Sequence, residues 1–259
     1  MAKKAEAAGW DGFFVLDPVW GTDVWVSLTA AAMKTKRIRL GPVLTPVSRT
    51  RPWRLASQTA TLDNLSNGRV ILTVGLGDVD EFEPFGELTD RKIRAELLDE
   101  GLDIITGLWH GQPFSYDGKH YKINETSYSP PPPLVQQPRI PIWVVGAWPS
   151  KKSMQRALRF DGLLPQALKP IGDSPPSAQK ANINDLRAMQ AYIAEHRTDS
   201  TPFDIAIEGD TPGDNRQEAA MIVKPWAEAG ATWWLEAPWD SNTQDDVRKR
   251  IQQGPPAII

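Results

Sequence analysis

The chain has 259 residues, a formal net charge of -3 and no cysteine, so disulfides, thiolate nucleophiles and thiolate metal sites are excluded. The charge balance argues against a dedicated nucleic-acid binder, because its longest basic grouping, Lys34-Thr35-Lys36-Arg37, is short enough for a solvated helix end. No apolar run approaches the roughly 20 residues that span a bilayer, and Met1 leads into Lys and Glu rather than a signal-peptide core, which implies a cytoplasmic protein.

The first predicted element is a helix over Ala2 to Ala8, stopped by Gly9 and followed by the strand Phe13-Phe14-Val15-Leu16. Asp23 to Lys36 has an acidic N-cap, helical spacing of apolar residues and a basic last turn, and it yields to the strand "RIRLGPVLTP". Pro52 suits the first turn of a helix running to Asn67, after which Gly68 opens the strand "RVILTVGLG". Arg91 to His110 is the longest helix candidate, with Ile93, Leu97, Leu98, Leu102 and Ile105 on one face. The rhythm then breaks between Gly111 and Pro138. Alternating residues around Asp117-Gly118 predict a hairpin, and a proline run predicts extended chain, so 111–138 reads as an insertion near the mouth of a pocket. Beyond it come "IPIWVVG", a helix from Ser150 to Phe160, "DGLLPQ", the helix "INDLRAMQAYIAEHR", "FDIAIEG", the helix "RQEAAMIVKPWAEAG", "TWWLEAPW" and a last helix, "TQDDVRKRIQQ".

Apolar strands alternating with amphipathic helices imply a parallel sheet with helical crossovers. About seven strands and eight helices fall one strand short of a (β/α)8 TIM barrel, and a crossover helix at Ala2 calls for a strand before it. The expectation is therefore a single barrel domain over 1–259 with its first strand missing; an open doubly wound sheet is the rival.

In a barrel the carboxyl ends of the strands carry function. Here they are Asp17-Pro18, Val43 to Pro46, Gly75 to Asp78, Gly146 to Trp148, Pro165-Gln166, Glu208-Gly209 and Glu236 to Trp239, rich in small residues, acids and tryptophan and without histidine. Asp17 either caps its loop or meets a ligand. The stretch "VVGAWPSKKS" suits a phosphate at a helix start, with Ser150, Lys151, Lys152 and Ser153 nearby. Eleven tryptophans are many for this length, and Trp20, Trp148 and Trp239 are candidates for apolar walls beside a planar ring. His110, His120 and His196 read as solvated or capping residues, and no pair of them has metal-ligand spacing, so no metal site is expected. Asp210 to Asn215 reads as a turn with a helix cap.

The phrases "AEAAGWDGFFVLD", "RIRLGPVLTPVSRTRPWRLASQTATLDNLSNGRVILTVGLG", "EFEPFGE", "IPIWVVGAWP" and "DGLLP", in that order, resemble the bacterial luciferase-like flavin-dependent oxidoreductases. The resemblance implies a (β/α)8 barrel, a homodimer with contacts from the helix of Trp53 to Leu65, and reduced FMN or the deazaflavin coenzyme F420 at the C-terminal face. It implies that Asp17 faces the cofactor and that a non-proline cis peptide falls at Pro42-Val43, to within one residue. It further places Gly75 and Gly77 beside the cofactor, Gly146, Ala147 and Trp148 in the loop receiving its phosphate, and Asp78 as the acid after the glycine turn. Pro18 departs from the deazaflavin-dependent relatives that have histidine after the strand-end acid.

The leading reading is a luciferase-like monooxygenase using reduced FMN and O2 on a small organic substrate, with Asp17 and Asp78 as candidate catalytic acids. Deazaflavin-dependent hydride transfer is the alternative, and a non-catalytic ligand-binding barrel is the third reading.

Overall fold

The computed structural model describes residues 1–127, 131–171, 174–239 and 243–256. The chain divides into two compact units, one formed by Asp11–Pro141 and the other by Lys3–Trp10 together with the chain from Ile142 onward. Helix α1 (Ala2–Ala7) precedes both in sequence and packs with the second.

In the first unit, β1 (Gly12–Val15) pairs in parallel with β2 (Arg39–Pro42) across helix α2 (Val24–Ala32). Asp23 caps α2 by accepting the Val26 N–H at 2.8 Å, and the helix ends well before the predicted Lys36. The strand expected over "RIRLGPVLTP" is split. A cis peptide at Val43-Leu44 separates β2 from β3 (Thr45–Pro46), which pairs in parallel with β4 (Leu72–Gly75). Helix α3 (Pro52–Ser66) lies between them and ends on Asn67 in the left-handed conformation. Beneath these strands Arg69 is a buried staple. Its guanidinium donates to the Ala32, Thr35 and Ile38 carbonyls and to the Thr35 hydroxyl, satisfying the open carbonyls after α2. Apolar burial does the rest: Leu28, Leu40, Leu55, Val70, Leu72 and Val74 have no exposed surface.

After β4 come the short helix α4 (Val79–Phe82) and the long α5 (Arg91–His110), capped by Asp90. The predicted hairpin is present as β5 (Phe114–Asp117) and β6 (Lys122–Thr126). It is fastened to α5: Glu100 accepts the backbone N–H groups of Lys119, His120 and Tyr121 at 2.9 to 3.0 Å, and Glu96 takes Lys119 and His120. Those two partners hold the Glu96 carboxyl down at about 2. The other end of the insertion is held by Asp63 of α3, fully buried, which accepts the Val135 N–H at 2.7 Å and the Gln136 side-chain amide at 2.8 Å. The insertion is thus tied to the helices α5 and α3. Part of its expected proline run falls on 128–130, outside the described residues.

The second unit holds the parallel strands β7 (Ile142–Trp148), β8 (Gly162–Ile171), β10 (Asp204–Gly209) and β11 (Trp233–Glu236), hydrogen-bonded in the order β7-β8-β10-β11. Helices α6 (Lys151–Leu158), α7 (Ile183–His196), α8 (Arg216–Glu228) and α9 (Gln244–Gln253) follow in the predicted alternation. The sequence reading missed β9 (Ser174–Lys180), which runs back antiparallel along an extended β8. Its segment "SPPSAQK" carries two prolines, and proline removes ladder donors, so no strand signal marks it. The core of this unit is Trp143, Val144, Leu163, Met154, Leu186 and Met189, with Trp143 meeting Trp233 edge-on at 5.3 Å. Trp10 joins α1 to α9 by donating its indole N–H to the Ile251 carbonyl at 2.8 Å. Among the described residues no helix is long and apolar enough to cross a membrane.

Candidate functional site

In the first unit the strand ends gather around Asp17. The β1 register sends the chain out of the sheet at Val15, so Asp17 sits just past the strand, and the turn after β3 brings Arg49 to it. One guanidinium nitrogen of Arg49, Nη2, donates to the Asp17 carboxylate at 2.6 Å and to its backbone carbonyl at 3.0 Å, with both side chains 13% exposed. Burial pushes the Asp17 carboxyl above its usual range, against the pull of Arg49 and the nearby Thr45 hydroxyl. Two polar atoms here remain open. The Thr45 hydroxyl, although it lies close enough to act on Asp17, closes no hydrogen bond of good geometry, and neither does Arg49 Nη1; both atoms are buried. A buried donor without a partner costs about 1 to 3 kcal/mol, and a polar ligand edge reaching Asp17 is one way these two atoms could be satisfied.

The cis peptide lies at Val43-Leu44, one bond beyond the expected Pro42-Val43. Pro42 itself is buried, and its carbonyl accepts from the Thr73 hydroxyl behind it on β4. Gly75 is buried at the end of β4, paired with Pro46. Gly77 adopts φ +75°, and a Cβ there would stand 2.5 Å from the Phe82 ring, so the turn requires glycine on both counts. That turn is held from α5 by Arg94, nearly fully buried, which donates to the Leu76 and Gly77 carbonyls at 2.8 and 3.1 Å and lies over the Phe82 ring. Asp78 is exposed and accepts the Asp80 N–H as the cap of α4; its charge acts on Arg94 rather than on Asp17. Trp20 is 84% exposed and forms no wall within this unit.

In the second unit the loop expected to receive a phosphate is held by its own hydrogen bonds at Ala147. Ser153 accepts the Ala147 N–H at 2.9 Å, while Ser150 caps α6 and donates its backbone N–H to the Ala147 carbonyl. Gly146 is needed for packing, since a Cβ there would meet Leu163 at 2.2 Å and Met154 at 3.1 Å. Trp148 is half-buried against Tyr192, which stacks on His196, whereas Trp239 is largely exposed. At the ends of β10 and β11, Glu236 accepts from the Thr211 N–H and hydroxyl, the Trp234 indole and Arg250. Burial first, then the proximity of Glu236, raises the Asp210 carboxyl. Asn215 caps α8, so the 210–215 stretch is the expected turn and cap.

Sequence reasoning missed Arg49 and Arg94. A buried acid at a strand end requires a cationic partner, and "SRTRP" held the candidates, but nothing local distinguishes Arg49 from Arg51.

A family model described as luciferase-like monooxygenase matches residues 1–253. The chain belongs to the luciferase-like monooxygenase family. A 5,10-methylenetetrahydromethanopterin reductase of Archaeoglobus fulgidus is 30% identical over 230 residues, 88% of this chain and 65% of the relative. This chain thus spans just under two thirds of that relative's length. An F420-dependent glucose-6-phosphate dehydrogenase of Nakamurella multipartita is 28% identical over 256 residues, covering 91% of this chain and 72% of the relative. Among solved structures, the coenzyme F420 dependent tetrahydromethanopterin reductase of Methanopyrus kandleri superposes with a TM-score of 0.66 at 22% identity, over 96% of this chain and 69% of that one. The fold is therefore of the luciferase-like TIM-barrel type, as the alternation of strands and helices implies.

Proposed function

We propose that this luciferase-like chain is an oxidoreductase that uses the deazaflavin coenzyme F420 for hydride transfer. The similarity to a reductase and to an F420-dependent dehydrogenase supports this choice over the leading expectation of FMN and O2. The structural observation that carries it is the pair of buried, unpartnered polar atoms on Thr45 and Arg49 beside Asp17. They fit the polar edge that flavin and deazaflavin rings share, with its carbonyl acceptors and N–H donor, so the choice between the two rests on the relatives. When bound, the coenzyme accepts or delivers a hydride equivalent. The chain's own part is to bind and orient. Arg49 offers Nη1 to an acceptor, the Thr45 hydroxyl serves as donor or acceptor, and the bend at Val43-Leu44 shapes the chain between them. Asp17 offers its carboxylate to a donor, and burial, which weakens its acidity, lets it hold a proton at a higher pH than an exposed aspartate does. Pro18 supplies no proton, so proton transfer at this strand end falls to Asp17.

The phosphate-receiving role of Gly146, Ala147 and Trp148, the place of Gly75 and Gly77 beside the coenzyme and the acid role of Asp78 are carried as part of the same proposal. So are a small-molecule substrate, a cytoplasmic location and a homodimer. For the dimer, α3 offers Trp53 and Leu65, 44% and 47% exposed. The test is a turnover assay in which purified protein is supplied with oxidised F420 and candidate donors, or reduced F420 and candidate acceptors, under anaerobic conditions. Coenzyme conversion that needs the protein and is lost in Asp17→Asn supports the reading; activity only with reduced FMN and oxygen contradicts it.

A further inference from the structure

Helix α2 carries no charged residue from Val24 to Met33, and its polar side chains there are Ser27 and Thr29 alone. One face packs as expected: Val24, Leu28, Ala31 and Ala32 are buried in the first unit. The opposite face is apolar too. Val26, Ala30 and Met33 follow at i, i+4 and i+7, so they form one stripe, and all three are exposed, Val26 at 69% and Met33 at 63%. Thr29, beside the stripe, turns its hydroxyl back to the Trp25 carbonyl at 2.7 Å. A surface helix ordinarily sets polar residues on its outer face, and a helix apolar on all sides belongs in a core or an interface. The charges stand at the two ends instead. Asp23 caps the start, and Lys34, Lys36 and Arg37 follow the end, all of them exposed.

This distribution selects the occupant. A second copy of α2 laid antiparallel meets the stripe with an identical one and sets the acidic start of each helix against the cationic end of the other. A parallel copy would set like charges together at both ends. With a two-fold axis between Thr29 and Ala30, Val26 of one copy faces Met33 of the other, and Asp23 faces the cationic end at Lys36. Ala30, small and central, lets the two backbones approach. We propose that the chain forms a two-fold dimer in which α2 packs antiparallel on α2 of a second copy through Val26, Ala30 and Met33. This rests on the homodimer reading, whose surface and direction it names, and it is independent of the coenzyme.

The test uses sedimentation of the full chain over a concentration series, together with oxidative cross-linking, which the absence of native cysteine makes clean. Wild type sediments as a dimer, and Val26→Glu with Met33→Glu weakens it at least tenfold while circular dichroism stays unchanged, because both side chains are exposed in the protomer. Ala30→Cys, next to the axis, forms a covalent dimer on oxidation. Met33→Cys alone does not, since its two copies lie about 10 Å apart along the helices, beyond disulfide reach, whereas a mixture of Val26→Cys and Met33→Cys proteins yields the mixed disulfide. A wild type that stays monomeric overturns the proposal and the homodimer reading together. A dimer indifferent to the two glutamates, or one in which Met33→Cys cross-links as readily as Ala30→Cys, overturns the proposal and leaves the homodimer reading standing.

Discussion

Arg49 grips Asp17 twice with a single nitrogen, at the carboxylate and at the backbone carbonyl, and leaves its other terminal nitrogen buried and open. One side of the guanidinium thus holds the strand-end acid, and the other is the side the proposed coenzyme would meet. Arg49→Ala leaves a buried carboxylate without its cation and is expected to cost about 2 kcal/mol in urea unfolding, less than a fully buried pair because both side chains retain some exposure. Arg49→Lys keeps the charge but not the two-way grip, so it recovers most of the stability and little of the coenzyme affinity.

Arg94 holds the turn after β4 by two backbone carbonyls, and Gly77 gives that turn its left-handed residue. Gly77→Ala meets both an unfavourable φ and the Phe82 ring and is expected to lower stability by about 2 kcal/mol or more. Arg94→Met keeps much of the buried volume yet strands the Leu76 and Gly77 carbonyls, at a similar cost of about 2 kcal/mol. Chemical denaturation measures both.

Glu100 gathers three consecutive backbone N–H groups of the hairpin turn. Glu100→Ala is expected to speed hydrogen exchange at Lys119, His120 and Tyr121 by about tenfold or more, while exchange in the β7 to β11 strands stays unchanged. Equal exchange in variant and wild type would show that the hairpin is held by its apolar contacts alone.

Glu208 supplies a pH signature. Burial raises its carboxyl above the usual 4.5, so the folded state binds more protons than the unfolded state between the two values. Stability therefore falls as pH rises through that window and stays lowered above it. Glu208→Gln does not titrate. Its melting temperature should match wild type at about pH 4 and exceed it by about 2 °C at about pH 8.

Much of the fold is legible in the sequence because periodicity and caps are local: Asp23, Asp90, Ser150 and Thr243 each cap the helix their position implies. The hairpin at Asp117-Gly118 is equally local. What was not legible depends on distant partners. β9 has no strand pattern of its own and exists by pairing with β8, and the placement of Lys180 follows from that pairing. The break within "RIRLGPVLTP" falls at Val43-Leu44, between the pairing of β2 with β1 and that of β3 with β4. At the site, Asp17 could be chosen from its place at a strand end, but its partner Arg49 lies 32 residues away and the open atoms of Thr45 and Arg49 are visible only in three dimensions. Asp78 is singled out by its position after a glycine turn, and the structure adds a capping bond to the Asp80 N–H that the sequence does not mark.

The most direct measurement is a fluorescence titration of the purified chain with F420 and, separately, with FMN, on wild type and Arg49→Ala. Saturable F420 binding at least tenfold tighter than FMN binding, weakened about tenfold or more by the substitution, is the expected result. Tight FMN uptake with no response to F420, or F420 binding indifferent to Arg49, would contradict it.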